Sequence, residues 1–138
     1  MEFTTTLLIN ACRARLAGYA SRIPVFADTE VGIHPPEGEH SQYTVRRIWK
    51  GMNGALRYGV LEVTGTMKHR VENKTDVTAN LQLKAMGFVS IGLAILCFLI
   101  AFGDPRRSGF AIVVGLVLLG LLVLDWYILR RIIRELQS

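Results

Sequence analysis

From Ala85 to Gly103 the chain runs nineteen residues without a charged side chain, AMGFVSIGLAILCFLIAFG. As a helix at about 1.5 Å per residue this stretch is roughly 28 Å long, close to the hydrocarbon thickness of a bilayer. A second uncharged run, SGFAIVVGLVLLGLLVL, covers 108–124, and the apolar character resumes after Asp125 with Trp126, Tyr127, Ile128 and Leu129. The pattern predicts two membrane-spanning helices, 85–103 and 109–129. Apolar runs this long have no polar face to show water, which argues against a pair of core helices of a soluble domain. A strand through 112–114 would leave its backbone unsatisfied in lipid, whereas a helix satisfies its own.

Gly103, Asp104, Pro105, Arg106, Arg107, Ser108 and Gly109 join the two runs. Gly and Pro punctuate helices, and Asp or Ser caps an incoming helix N-terminus. So short a joint predicts a tight hairpin, with both chain ends on one side. Lys68, Arg70, Lys74 and Lys84 precede the hairpin and Arg130, Arg131 and Arg134 follow it, against Arg106 and Arg107 in the loop. By the positive-inside rule both termini face the cytoplasm or the mitochondrial matrix. Trp126 and Tyr127 suit an interfacial aromatic belt. Gly87, Ser90 and Ala94 in the first span, and Gly115 and Gly120 in the second, are small residues suited to helix contact.

Before the spans the period changes to two. Leu61, Val63, Gly65, Met67, His69 and Val71 alternate with Glu62, Thr64, Thr66, Lys68, Arg70 and Glu72, and Val77, Ala79, Leu81 and Leu83 alternate with polar neighbours over 76–84. Such alternation predicts two half-buried strands, with Asn73, Lys74 and Thr75 as turn material. Residues 43–49, with Tyr43, Val45, Arg47 and Trp49 on one face, predict a third strand, a short helix through 41–56 being the alternative; Gly51, Gly54 and Gly59 punctuate this stretch. A small sheet with one apolar face is not stable alone, so that face needs a cover. The candidates are the N-terminal helix, the membrane surface or another subunit.

Leu8, Cys12, Leu16, Tyr19 and Ile23 fall on one helical face, with Arg13, Arg15 and Arg22 off it. They predict an amphipathic helix over 5–23 that packs on the sheet, lies on an anionic membrane surface, or serves in mitochondrial targeting. Residues 24–42, with Pro24, Gly32, Pro35, Pro36 and Gly38, read as an extended connection. The predicted fold class is thus an α+β membrane protein. It comprises an N-terminal helix and connection (1–42), a small antiparallel β region (43–84), a transmembrane helical hairpin (85–129) and a basic C-terminal tail (130–138).

The 138 residues are 51% hydrophobic, with a mean hydropathy of +0.34 and a formal charge of +5. Asp125 is the one ionisable group expected at membrane depth, a functional candidate by default. Its place beside Trp126, about one turn from Arg130, favours contact with the interface or an arginine over proton or ion handling. Arg130, Arg131 and Arg134 read as contacts to anionic lipid headgroups. His34, Glu37, Glu39 and His40 gather four metal-ligand types, but a Pro-rich loop lacks the fixed spacing a zinc site needs, so no metal is expected. Cys12 and Cys97 are too far apart in kind, one in the N-terminal helix and one mid-span, to read as a disulfide. The Asn73-Lys74-Thr75 glycosylation sequon faces the wrong compartment. Twelve arginines and four lysines raise nucleic acid as a partner, but they are dispersed and no binding motif accompanies them.

No nucleophile, base or cofactor motif stands out, so no enzyme and no cofactor are expected. These features lead to a non-catalytic accessory or assembly subunit of a larger membrane complex of respiratory, photosynthetic, transport or secretion type. Its expected partners are other membrane-protein subunits and anionic lipid, and its expected place is the mitochondrial or bacterial inner membrane. The alternative is a homo-oligomeric channel or membrane-perturbing protein, with Asp125, Arg106 and Arg107 as charged rings.

Overall fold

The alternating stretches form an antiparallel sheet, larger than the periodicity alone predicts. The structure is a computed structural model and describes residues 1–22, 27–51 and 57–137; Ile23, Pro24, Gly54 and Ser138, used in the sequence reading, lie outside them. The elements run β1 (Glu2–Thr5), α1 (Ile9–Gly18), β2 (Ser21–Arg22), β3 (Ala27–His34), β4 (His40–Lys50), β5 (Arg57–Arg70), β6 (Lys74–Thr78), β7 (Asn80–Leu83), α2 (Ala85–Gly103) and α3 (Ser108–Gln137). The sheet order is β1-β6-β5-β4-β3-β2, all neighbours antiparallel, and β7 continues beyond β6 along the same side of β5.

Three expectations need correction. The N-terminal helix is ten residues rather than the stretch 5–23, because residues 2–5 pair with β6 and Thr4 donates to Asp76 at 2.7 Å. A run of β-branched threonines favours a strand there over a helix start. The connection assigned to 24–42 contains β3 and the start of β4, in full register from Ala27↔Trp49 to His34↔Gln42. Residues 41–50 of the alternative helix are strand. The basic tail is no tail either, since α3 continues without a break to Gln137.

The inner face of the sheet carries Tyr43, Val45, Val63, Met67 and Val77. It is covered within the chain by Cys12 and Leu16 of α1 and by Leu129, Ile132, Ile133 and Leu136 of α3. Of the covers considered, the N-terminal helix takes a share and α3, which was not among them, takes the rest. The opposite face carries Glu30, Gln42, Thr44, Arg46, Thr64 and Thr66.

The step from β6 to β7 rests on one close approach. The Tyr43 hydroxyl donates to the Thr78 carbonyl at 2.7 Å, and the Thr66 amide donates to Thr78 Oγ1 at 2.9 Å. Gly65 lies directly below, where a Cβ would run into the Thr78 carbonyl oxygen and the Tyr43 hydroxyl.

α2 follows β7 after Lys84 alone, whose amide donates to the Val60 carbonyl at 3.0 Å. Val60 is the extra residue of a bulge, because Arg47 pairs with Leu61 while Ile48 pairs with Gly59. The buried residues of α2 are Gly87, Ser90 and Ala94, the three small residues singled out above. Facing them, Gly115 of α3 lies under the Phe98 ring, 3.1 Å from where its Cβ would be, whereas Gly120 meets nothing. Both helices are long and apolar enough to cross a membrane, and only 17% and 22% of their most apolar windows are buried within the chain.

Gly65→Ala is expected to destabilise the fold by about 1–3 kcal/mol through overpacking, while Gly120→Ala is expected to be neutral or slightly stabilising. Denaturant unfolding of the two variants in detergent checks this, and equal midpoints would contradict the account.

Candidate functional site at the junction of sheet and helices

Three charged groupings gather at the end of the sheet from which α2 and α3 depart. At the centre is Asp125, 2% exposed on the sheet-facing side of α3. Its Oδ1 accepts from Arg47 Nε at 2.8 Å and its Oδ2 from Trp49 Nε1 at 2.7 Å. Arg47 Nη1 in turn donates to Thr29 Oγ1 at 2.7 Å, so the cluster ties β3, β4 and α3 together. Arg47 and Trp49 project from β4 on the same face as Tyr43 and Val45, which is why they meet the helix. The arginine that pairs Asp125 therefore comes from the sheet rather than from position 130.

On the other sheet face, Asp28, fully buried, accepts from Lys50 Nζ at 2.7 Å and Arg57 Nη2 at 3.1 Å, and Arg57 also reaches Glu30 at 2.8 Å. Beside them Glu62, also buried, is held between Arg46 at 3.0 Å and Lys84 at 3.2 Å. Lys84 is the residue that launches α2, so this pair fixes the first helix as Asp125 fixes the second.

The predicted headgroup residues lie on the outward side of α3. The Arg130 guanidinium sits over the Trp126 ring, 4.9 Å from its centroid. Arg131 Nε donates to Glu135 Oε1 at 2.9 Å, and Arg134 is exposed. Asp125 and these arginines are thus on one helix but on different faces. Arg106 and Arg107 are in the far loop, where the Arg106 amide donates to Asp104 Oδ1 at 3.0 Å.

Arg13, which the sequence pattern places off the apolar stripe of the N-terminal helix, is nevertheless buried, 8% exposed. Its Nε and Nη2 donate to Ser41 Oγ, and Nη2 also donates to the Gly38 carbonyl at 2.7 Å, so it secures the loop that carries the His34–His40 segment. Among the described residues no three His, Cys, Asp or Glu side chains come together as a metal site. Both cysteines are free. Burial pushes the Cys12 thiol and, more strongly, the Tyr43 phenol above their ordinary values. No protein-family model, curated protein or solved structure matches the chain.

The cluster holds charge where the uncharged run of α3 ends, and it leaves both carboxylate oxygens of Asp125 occupied. Removing one member of a buried pair strands the other. Arg47→Ala or Asp125→Ala is therefore expected to cost about 3–5 kcal/mol, and the double replacement Arg47→Leu with Asp125→Leu less than the sum. Unfolding in detergent measures both, and strict additivity would show that the pair is not coupled.

Cys12 gives a pH prediction. Because its folded pKa is raised, its contribution is complete below the ordinary thiol range and is lost as pH rises above about 8.5, where the unfolded chain ionises first. Cys12→Ala should flatten the alkaline limb of the stability profile. At pH 8 the thiol should react with maleimide only after unfolding; rapid labelling of the folded protein would contradict its burial.

Proposed function

We propose that the chain is a two-pass membrane protein with both termini on the cytoplasmic or matrix side, acting as a non-catalytic accessory or assembly subunit of a larger membrane complex. The observation that carries this reading is the division of α3. Its first seventeen residues, 108–124, are uncharged and largely uncovered, while 125–137 form part of the cover of the sheet. One helix thus demands an apolar medium over its first part and provides the core of a folded domain over its second. With Asp125 and Lys84 both pinned to the sheet, the domain has little freedom to swing about the hairpin. A rigid polar sheet held at a membrane surface is suited to positioning other subunits.

The sheet's inner face no longer argues for a partner, because α1 and α3 cover it. The case for subunits rests instead on the part of the outer face away from the junction, where Gln42 and Arg46 are exposed and Glu30, Thr44, Thr64 and Thr66 are half-buried among the described residues. The channel alternative draws less support, since Asp125 is enclosed by Arg47 and Trp49 rather than turned towards a possible lumen.

Alkaline carbonate extraction should leave the protein in the membrane pellet, and release to the supernatant would refute insertion. Blue-native electrophoresis of gently solubilised native membranes should place it in a band well above its own mass. Migration only as a small monomer would refute the subunit assignment while leaving insertion intact.

A further inference from the structure

Beside the junction a groove of about 440 Å³ lies between α3 and the step from β6 to β7 around Ala79, with Met1 beside it. Val63, Ala79, Leu81, Leu129 and Ile133 give it apolar walls, and Trp126 and Arg130 stand at α3's side of it. No carboxylate lines it. Among the described residues neither Arg130 nor Arg134, one helical turn apart, has an acidic partner.

The position of Arg130 matters as much as its charge. Asp125 marks the level at which α3 leaves its uncharged run. Arg130 lies five residues further on, or about 7.5 Å along the axis. Each headgroup layer of a bilayer is roughly 5–8 Å thick. In the proposed orientation the guanidinium stands at the depth of lipid phosphates, and Leu129, one residue before it, marks the end of the groove nearer the acyl boundary. A guanidinium recognises phosphate by paired N–H donors, and an apolar slot beside it suits a hydrocarbon chain.

We propose that this groove is a seat for one anionic phospholipid of the surrounding membrane, its phosphate on Arg130 and the upper part of an acyl chain against Leu81 and Leu129, the apolar residues at its membrane end. The proposal rests on the two-pass reading and goes beyond diffuse attraction of the basic collar to anionic lipid, because it assigns one arginine and one apolar slot. Arg134, a turn further along the helix, adds positive charge on the phosphate side. The Trp126 ring under the guanidinium holds Arg130 at the groove that both residues line.

The test uses full-length protein in a zwitterionic detergent, with phosphatidylglycerol, phosphatidylcholine or glycerol phosphate added, read by native mass spectrometry and by thermal unfolding. Wild type should retain phosphatidylglycerol at least fivefold more than phosphatidylcholine and gain thermal stability from it, with no gain from glycerol phosphate. Arg130→Gln should abolish the preference and Leu81→Gln, also at an exposed position, should lower retention of both lipids, while Arg106→Gln in the far loop should keep both retention and preference. Equal retention of the two lipids, an equal gain from glycerol phosphate, or loss of preference in Arg106→Gln to the same degree as in Arg130→Gln would each overturn the seat. Carbonate extraction of the same variants separates the two readings. A pellet-bound wild type without lipid preference refutes only the seat, whereas a wild type released from membranes refutes the insertion on which it rests.

Discussion

The contact between Asp125 and Arg47 governs how one helix combines an uncharged, largely uncovered run with a stretch that covers the sheet. Residues 108–137 make a helix of about 45 Å, longer than either a bilayer or this sheet needs. Apolar packing alone would let it slide along its axis, because leucine and isoleucine recur throughout. A carboxylate cannot slide. Burial without partners would cost several kcal/mol, and Arg47 and Trp49 offer the required donors at one position only. The register of α3 against β4 is therefore set at Asp125, and with it the point at which the uncharged run ends.

The first helix is fixed by different means to the same end of the sheet. Lys84 is held twice, by its amide on Val60 and by its ammonium on Glu62. The bulge at Val60 turns that carbonyl outward, and Gly87 lets the helix approach it, since a Cβ there would lie 2.8 Å from the Val60 oxygen and closer still to Leu83. Two helices anchored at one sheet end then need only small residues between them. Ser90, whose hydroxyl donates back to Met86 at 2.8 Å, satisfies itself within its own helix and leaves the Ala94 and Gly115 contacts apolar.

What could be read from the chain followed from periodicity that a single layer imposes. β5 and the β6–β7 stretch alternate because one face meets α1 and α3 and the other does not, although the first strand ends at Arg70, the turn falls at 71–73 rather than 73–75, and the second stretch breaks at Ala79; the first uncharged run coincides with α2. The strand β3 escaped notice because Gly32 and the prolines at 35 and 36 look like loop punctuation, while Val31 and Ile33 supply only a short apolar alternation. The strand β1 escaped because its apolar content is Phe3 alone; its stability comes from pairing with β6 and from Thr5, buried against the start of the sheet. At the junction the signal was present but divided. Arg47 sat on an apolar strand face and Asp125 in an apolar helix, each anomalous alone. Opposite charges misplaced on two predicted core faces are evidence that those faces meet, and joining the two would have paired the sheet with α3.

The same ion pairs bear on orientation. Of the seven basic residues that flank the hairpin on the sheet side, Arg70, Lys74, Lys84 and Arg131 have acidic partners, while Lys68, Arg130 and Arg134 have none among the described residues. In the loop Arg107 approaches Asp104 at 3.9 Å and Arg106 has no acidic partner. Discounting paired residues thus leaves three against one where the raw count was seven against two, so the asymmetry does not depend on how pairing is treated. The positive-inside bias counts lysine and arginine near helix ends with little regard to nearby acids. On the two-pass reading proposed above, both counts favour placing the sheet on the cytoplasmic or matrix side. The unpaired cations that would do so in the folded protein include Arg130, six residues past the end of the uncharged run of α3.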